Sequence, residues 1–352
     1  MKIGFDAKRY YHNRTGLGNY SRTLADGVIA SGSAECVLYD EKSFSRTFRL
    51  AHKAKADGCD VFHGLSNELP LDSLRAHIPT VVTMHDVAWR TFPDMYHWAD
   101  RQIYDAKYGW ACRHATRVVA ISQSTKADVM RFYGVSEDRI DVVCQPVQPL
   151  FYQQLDAETA RQQVREALPW LPSEFALYVG SINSRKNLLL ALRALAAISE
   201  DRRPFLLVVG NGREYRREVE QYIATAGLQS CVRIADNLRD NNLLHALYAT
   251  AMFFIYPSYY EGFGLPVVEA SLQTCPVITT NVSSLPEAAG DGAILISPDD
   301  VEACSDAIGR LTTDGDLRNS LGQKGRAYAT SHFMPQFQTD RMLQIYHSLI
   351  NR

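Results

Sequence analysis

Short runs of apolar residues recur along the chain, each followed by a longer stretch in which apolar positions return at helical spacing. In the first half the runs are KIGFDA, ECVLYD, VFH, TVVTMHD, RVVAIS and IDVVC. In the second half they are FALYVG, PFLLVVG, CVRIA, MFFIYPS, CPVITT and AILISP. A run that is apolar at consecutive positions, rather than alternate ones, is buried on both faces. That is the condition of a strand in a parallel sheet covered by helices on each side. Strand and helix alternating twice over predict two doubly wound α/β units. Between them QPVQPLFYQQLDAETARQQ, with two prolines and a polar run, predicts a hinge. The pattern divides the chain into residues 1–150, 151–333 and 334–352, and MPQFQTDRMLQIYHSLI in the last part predicts an amphipathic helix.

Composition narrows the class. A chain of 352 residues is too long for one ordinary core, which agrees with two domains. A formal charge of -2 gives no overall attraction to nucleic acid. The seven cysteines stand singly without a CxxC pair, and an odd count argues against a disulfide framework, so a reducing cytoplasm is expected. The first residues, MKIGFDAKRY, carry no apolar signal region, and no 18 apolar residues run together, so no transmembrane segment is expected. Peripheral contact with a membrane surface stays open.

Ligands of open parallel sheets bind beyond the carboxyl ends of the strands, and the chemistry-bearing residues fall there. After MFFIYPS comes YYEGFG and then LPVVEASLQ, with Pro266 near the first helical position. Glu261 precedes this helix and Glu269 lies about one turn inside it. Two carboxylates beside helix-start amides suit a ligand with hydroxyl pairs at both ends and phosphates between, as in a nucleotide sugar. A tight turn with a solvated Glu261 fits the spacing as well. In LYVGSINSRKNLLLALRAL, Arg185 and Lys186 precede a helix, where a diphosphate would meet two cations and the helix's positive end. An exposed basic pair explains the spacing too. In KRYYHNRTGLGNYSRTLADGV, Gly16 and Gly18 flank Leu17 ahead of a helix expected from about Asn19. His85 and Asp86 end the run TVVTMHD, beside an aromatic-rich stretch that includes Trp89 and suits either packing or stacking on an acceptor's sugar rings. No DxD lies close to a strand end, and neither GxSxG nor HExxH occurs, so no metal site, serine esterase or zinc protease is expected.

Together these segments resemble glycosyltransferase family 4, whose members have the GT-B fold. EGFGLPVVE resembles its E-x7-E signature, GSINSRKN its diphosphate loop, TGLGNYSRTL its glycine loop and HDVAWRTFP its histidine segment. VVAISQSTKADVMRFYGV matches its last N-domain strand and helix. The likeness runs from about residue 2 to the last helix in the right order. One departure is Met334-Pro335 after His332-Phe333, where relatives often carry tryptophan.

The resemblance implies two Rossmann-like domains facing across a cleft, an acceptor domain followed by a donor domain, with the last helix returning to the first. It implies retaining transfer of a hexose from a nucleoside diphosphate sugar to a glycan or lipid-linked glycan, with no metal or other cofactor. By that likeness His85, Arg185, Lys186 and Glu261 serve catalysis. The donor meets Gly16, Leu17, Gly18, Gly180, Ser181, Arg185, Lys186, Glu261, Gly262, Phe263, Gly264, Leu265 and Glu269. Asp86 and Trp89 are candidates for the acceptor. GLGNYSR with RKN resembles bacterial mannosyltransferases of polysaccharide assembly, which makes GDP-mannose the first expectation and a UDP-hexose the alternative. Base selection is expected near DNLRDNN. A nucleotide-sugar epimerase, a phosphorylase and a non-catalytic nucleotide-sugar sensor are the competing readings. A dinucleotide dehydrogenase is disfavoured, because neither half opens with GxGxxG.

Overall fold

The structure, a computed structural model, describes residues 1–13, 16–236, 238 and 240–350. Two compact units emerge: Met1–Gln148 with Phe333–Arg352, and Pro149–His332. In the first, strands β1 (Lys2–Asp6), β2 (Glu35–Tyr39), β3 (Val61–Gly64), β4 (Thr80–Met84), β5 (Arg117–Ala120) and β6 (Ile140–Val142) form one parallel sheet in the order β2-β1-β3-β4-β5-β6. In the second, β7 (Phe175–Val179), β8 (Phe205–Val209), β9 (Val232–Ala235), β10 (Phe253–Tyr256), β11 (Val277–Thr280) and β12 (Ala293–Ile296) pair in the order β12-β11-β10-β7-β8-β9, again all parallel. Every apolar run of the sequence is one of these strands. The inner ones, such as β3, β4 and β10, are buried along their whole length, which is why they read as continuous rather than alternating.

The strand order matters for function. In each sheet the chain starts at an inner strand, adds to one side out to the edge, then returns to build the other side. The order therefore reverses between β1 and β3, and again between β7 and β10. Connections leave such a pair of strands in opposite directions and open a crevice at their carboxyl ends.

Seven helices carry the later discussion: α1 (Gly16–Ala30), α2 (Ser43–Phe48), α3 (Trp98–His114), α4 (Leu188–Ala197), α5 (Asn241–Thr250), α6 (Leu265–Leu272) and α7 (Pro335–Ile350). Helix α7 belongs to the first unit. Its Tyr346 is fully buried, and the hydroxyl lies 2.6 Å from Nδ1 of His63 on β3. His63 Nε2 reaches the Thr83 hydroxyl at 2.8 Å, which in turn meets the Tyr20 hydroxyl of α1 at 2.9 Å. Burial holds His63 neutral, pushing its pKa down to about 3, with the nearby His85 adding to the effect. A buried polar chain of this kind is favourable because each member is satisfied.

Most of the segment expected as a hinge is regular structure. From Pro149 the segment belongs to the second unit. Phe151 is buried there against His245 and Tyr248, and Asp156 caps a helix over Ala157–Ala167 by accepting from the Thr159 amide. The polar run read as linker is the exposed face of that helix.

Candidate active site

The crevice between β7 and β10 is where the second unit concentrates its chemistry. Beyond β7 the loop passes through Gly180 and Ser181 into a single turn, Ser184–Lys186. The Asn183 side chain accepts from the Lys186 amide at 3.1 Å. Asn187 takes a left-handed conformation, and its side-chain amide donates to the Pro298 carbonyl at 2.8 Å. These contacts fix where Arg185 and Lys186 point before α4 begins.

Beyond β10 the chain passes Glu261, Gly262, Phe263 and Gly264 into α6, which opens with Leu265-Pro266. Gly264 has φ of +107°, a conformation closed to residues with a Cβ, so glycine is required by the backbone itself. The Ser284 hydroxyl lies 2.8 Å from the carbonyls of both Glu261 and Phe263, and the Ser283 hydroxyl accepts from the Glu261 amide at 3.0 Å.

The two loops meet at Glu261. Lys186 Nζ is 2.6 Å from Oε1 and Arg185 Nη1 is 3.2 Å from Oε2. The Tyr256 hydroxyl donates to Oε1 at 3.1 Å and also receives the Lys186 ammonium. Arg185 donates in addition to the Tyr260 carbonyl. Lys186 and Glu261 are buried, at 9% and 8% exposure. Burial by itself works to raise the Glu261 carboxyl, but the charges of Lys186 and Arg185 outweigh it and hold the pKa at about 2. Two cations thus converge on one ionised carboxylate, leaving the cluster one positive charge in excess. An anion entering here finds that charge already oriented.

Glu269, one turn into α6, has a different partner. Its Oε2 accepts from the Tyr248 hydroxyl of α5 at 3.2 Å. Desolvation pushes its carboxyl up to about 7, only partly opposed by that hydrogen bond. Within DNLRDNN, Asp240 caps α5 and Asp236 pairs with Arg216 at 2.6 Å, whereas Asn237 and Arg239 lie outside the described residues.

In the first unit His85 directly follows β4. Its amide donates to the Asn67 side chain at 2.8 Å, and its Nε2 lies 2.9 Å from the Leu65 carbonyl. A carbonyl can only accept, so Nε2 carries the proton and Nδ1 the lone pair. Burial depresses the ring to a pKa of about 4 against the raising effect of the Leu65 contact, so the imidazole is neutral at pH 7. Asp86 accepts from the Ala88 amide at 3.2 Å, two residues ahead of the short helix Ala88–Thr91. Trp89 is only 4% exposed, its indole N–H donates to Asp105 at 2.9 Å, and its ring packs on Tyr104 and Tyr108. It builds the core and offers no face for stacking on a sugar, which corrects the acceptor expectation for this residue.

The glycine pair also differs from expectation. Gly16, Leu17 and Gly18 form the first turn of α1, which starts three residues before Asn19. A Cβ on Gly18 would lie 1.8 Å from the Asn13 carbonyl oxygen, so helix and preceding chain touch at that point. A Cβ on Gly16 would meet nothing within 4 Å. Thr15, part of the same motif, lies outside the described residues.

Sequence reading missed Tyr256, Tyr248, Ser283 and Ser284. An apolar run such as MFFIYPS carries no sign that its single tyrosine sets a hydroxyl against Glu261. The SS pair reads as an ordinary turn.

Comparison with known proteins decides the family. Residues 17–149 match the Glycosyltransferase Family 4 model and residues 160–328 the Glycosyl transferases group 1 model. O-antigen chain mannosyltransferase B of Escherichia coli is 31% identical over 370 residues, covering 94% of this chain and 95% of that one. The chain belongs to glycosyltransferase family 4. Among solved structures, sucrose-phosphate synthase of Thermosynechococcus elongatus superposes with a TM-score of 0.80 at 20% identity, covering 100% of this chain and 99% of the other. HepE of Anabaena, solved with UDP and glucose, gives 0.76 at 18% identity, covering 99% and 100%. This family 4 enzyme therefore has the GT-B fold and is a hexosyltransferase. Among the described residues, no helix is long and apolar enough to cross a membrane.

Proposed function

We propose that the protein transfers mannose from GDP-mannose to a glycan or lipid-linked glycan with retention at the sugar carbon and without a metal ion. In this reading the second unit binds the donor and the first the acceptor. The observation that carries it is the convergence of Lys186 and Arg185 on Glu261 at the β7–β10 crevice. The likeness to an O-antigen chain mannosyltransferase over nearly the whole chain supports mannose.

Glycosyl transfer develops positive charge on the sugar ring and negative charge on the departing diphosphate. Lys186 and Arg185 would shift part of their hydrogen bonding from Glu261 to that diphosphate. The oriented cations then stabilise the leaving group most where its charge is greatest. Glu261 holds both aimed and, with the backbone from Gly262 to Leu265, contacts the hexose and pyrophosphate. No carboxylate of these loops serves as a nucleophile here. The acceptor attacks on the face that the diphosphate leaves, and a leaving phosphate oxygen takes the acceptor's proton. Thermal shifts with GDP and UDP, followed by NMR of the product's anomeric centre, test the reading. A larger shift with GDP and an α-linked product from α-linked donor are expected. A larger shift with UDP would move the donor to a UDP-hexose, and an inverted product would remove the same-face mechanism.

Glu269 is assigned the ribose hydroxyl pair, which it accepts best as a carboxylate. GDP affinity is accordingly expected to rise as pH passes upward through about 7, where Glu269 ionises. The terminal phosphate of GDP titrates nearby, so the readout is the difference between wild type and Glu269→Gln by calorimetry. Superimposable profiles would remove the ribose role. The linked effect on stability has the opposite sign. The folded carboxyl, at about 7, lies above its reference value of 4.5, so stability is full below 4.5 and declines as pH rises through 7.

A further inference from the structure

The first unit has a crevice of its own, between the carboxyl ends of β1 and β3, and it is lined for a ligand. Asp6 is the last residue of β1; Glu68, Leu69 and Leu71 follow β3. Arg46 comes in from α2 and lies between the two acids, with Nε 2.7 Å from Asp6 Oδ2 and Nη1 2.6 Å from Glu68 Oε2. Lys107 and Trp110 of α3 complete the wall of a pocket of about 70 Å³. That is room for roughly five water molecules, enough to admit the hydroxyl-bearing edge of one sugar ring.

The charges indicate what would fit. Asp6 and Glu68 bring two carboxylates, Arg46 and Lys107 two cations, so the lining is balanced overall. A diphosphate or a carboxylated ligand finds no excess of positive charge there, in contrast to the cluster around Glu261. Hydroxyl pairs suit it better, since carboxylate oxygens accept from them and the guanidinium donates to ring and glycosidic oxygens. Trp110 is half-buried and gives an apolar wall for the C–H face of a sugar. Arg46 is clamped from two sides and Asp6 is 5% exposed, so this polar surface is preformed and loses little freedom on binding.

We infer that the pocket of Asp6, Arg46, Glu68, Lys107 and Trp110 at the β1–β3 crevice binds an uncharged sugar residue of the acceptor glycan. This rests on the proposed transfer to a glycan, and it names residues for the half of the reaction that the Glu261 cluster does not serve.

The test is titration of the whole protein with α-mannobiose, α-mannotriose and cellobiose by calorimetry, alongside GDP and UDP. Saturable binding of at least one saccharide is expected. That affinity should fall tenfold or more in both Glu68→Gln and Trp110→Ala, while nucleotide affinity stays within twofold. Because Glu68→Gln also loosens Arg46, thermal melts accompany each variant; Trp110→Ala breaks no ion pair and carries the test if the first variant melts early. Unchanged saccharide affinity in Trp110→Ala, or no binding of any of the three by wild type, would overturn the inference. Failure of both GDP and UDP to bind would instead strike the proposed donor chemistry, so the two failures are told apart.

Discussion

Lys186→Ala is expected to lower turnover about a hundredfold or more and to cost about 3 kcal/mol of stability. The first figure follows from removing one preorganised charge aimed at a leaving group, an effect of roughly two to three powers of ten. The second follows from burial. Glu261 is 8% exposed, and without the ammonium 2.6 Å away it keeps a charge that burial opposes. Breaking a buried pair from one side leaves just such an uncompensated charge. Arg185 remains as a partner at 3.2 Å, so the loss falls toward the lower end of that range. Arg185 is the more exposed cation, with its side chain 20% accessible against 11% for Lys186. Arg185→Ala should therefore cost less stability but still tenfold or more in turnover, about 1.4 kcal/mol or greater. Initial rates under saturating donor, together with denaturant unfolding, separate the two effects. Full activity in the lysine variant would remove the assigned role of this cluster.

The companion pair Gly18→Ala and Gly16→Ala should behave in opposite ways. In Gly18→Ala the new methyl would lie 1.8 Å from the Asn13 oxygen and 2.6 Å from its carbonyl carbon, both backbone atoms that cannot rotate aside. Segment 10–13 is tied to α1 by Arg22, which donates to the Tyr10 and Asn13 carbonyls at 2.8 Å each. Relief requires moving that segment, at a cost of about 3 kcal/mol. For a unit of this size that is roughly 6–12 °C in Tm. In Gly16→Ala the methyl meets nothing within 4 Å, and alanine is the better helix former, so Tm should hold or rise slightly. If open space at Gly16 serves close approach of a ligand, turnover falls while Tm does not. Calorimetric melts and initial rates on the same preparations read both. Normal turnover in Gly16→Ala would leave this glycine without a ligand role, and an unchanged Tm in Gly18→Ala would contradict the close contact.

The twelve strands were legible because each is a local statement. A segment such as FFIY, buried on both faces, must be apolar throughout, and nothing distant is needed to see it. The start of α6 at Leu265-Pro266 was legible for the same reason, since a proline near the first helical position is a local signal. Where the reading slipped, a contact between segments was responsible. The GLG stretch suggests a loop by composition, yet it is helix, because Gly18 is needed for packing against Asn13 rather than for a turn. Trp89 sits in an aromatic stretch that suits a sugar platform, yet the surrounding helices cover it.

The amino-acid sequence by itself determined the kind of layered fold and the residues that stand just past the strand ends, because periodicity and turn chemistry act over a few residues. Only the tertiary structure decided which strand ends adjoin. That choice brings Lys186 to Glu261 across 75 positions, His63 to Tyr346 across 283, and Arg46 between Asp6 and Glu68. Strand order is a property of the whole sheet, set by how all its faces are covered at once, and no short window of sequence contains it.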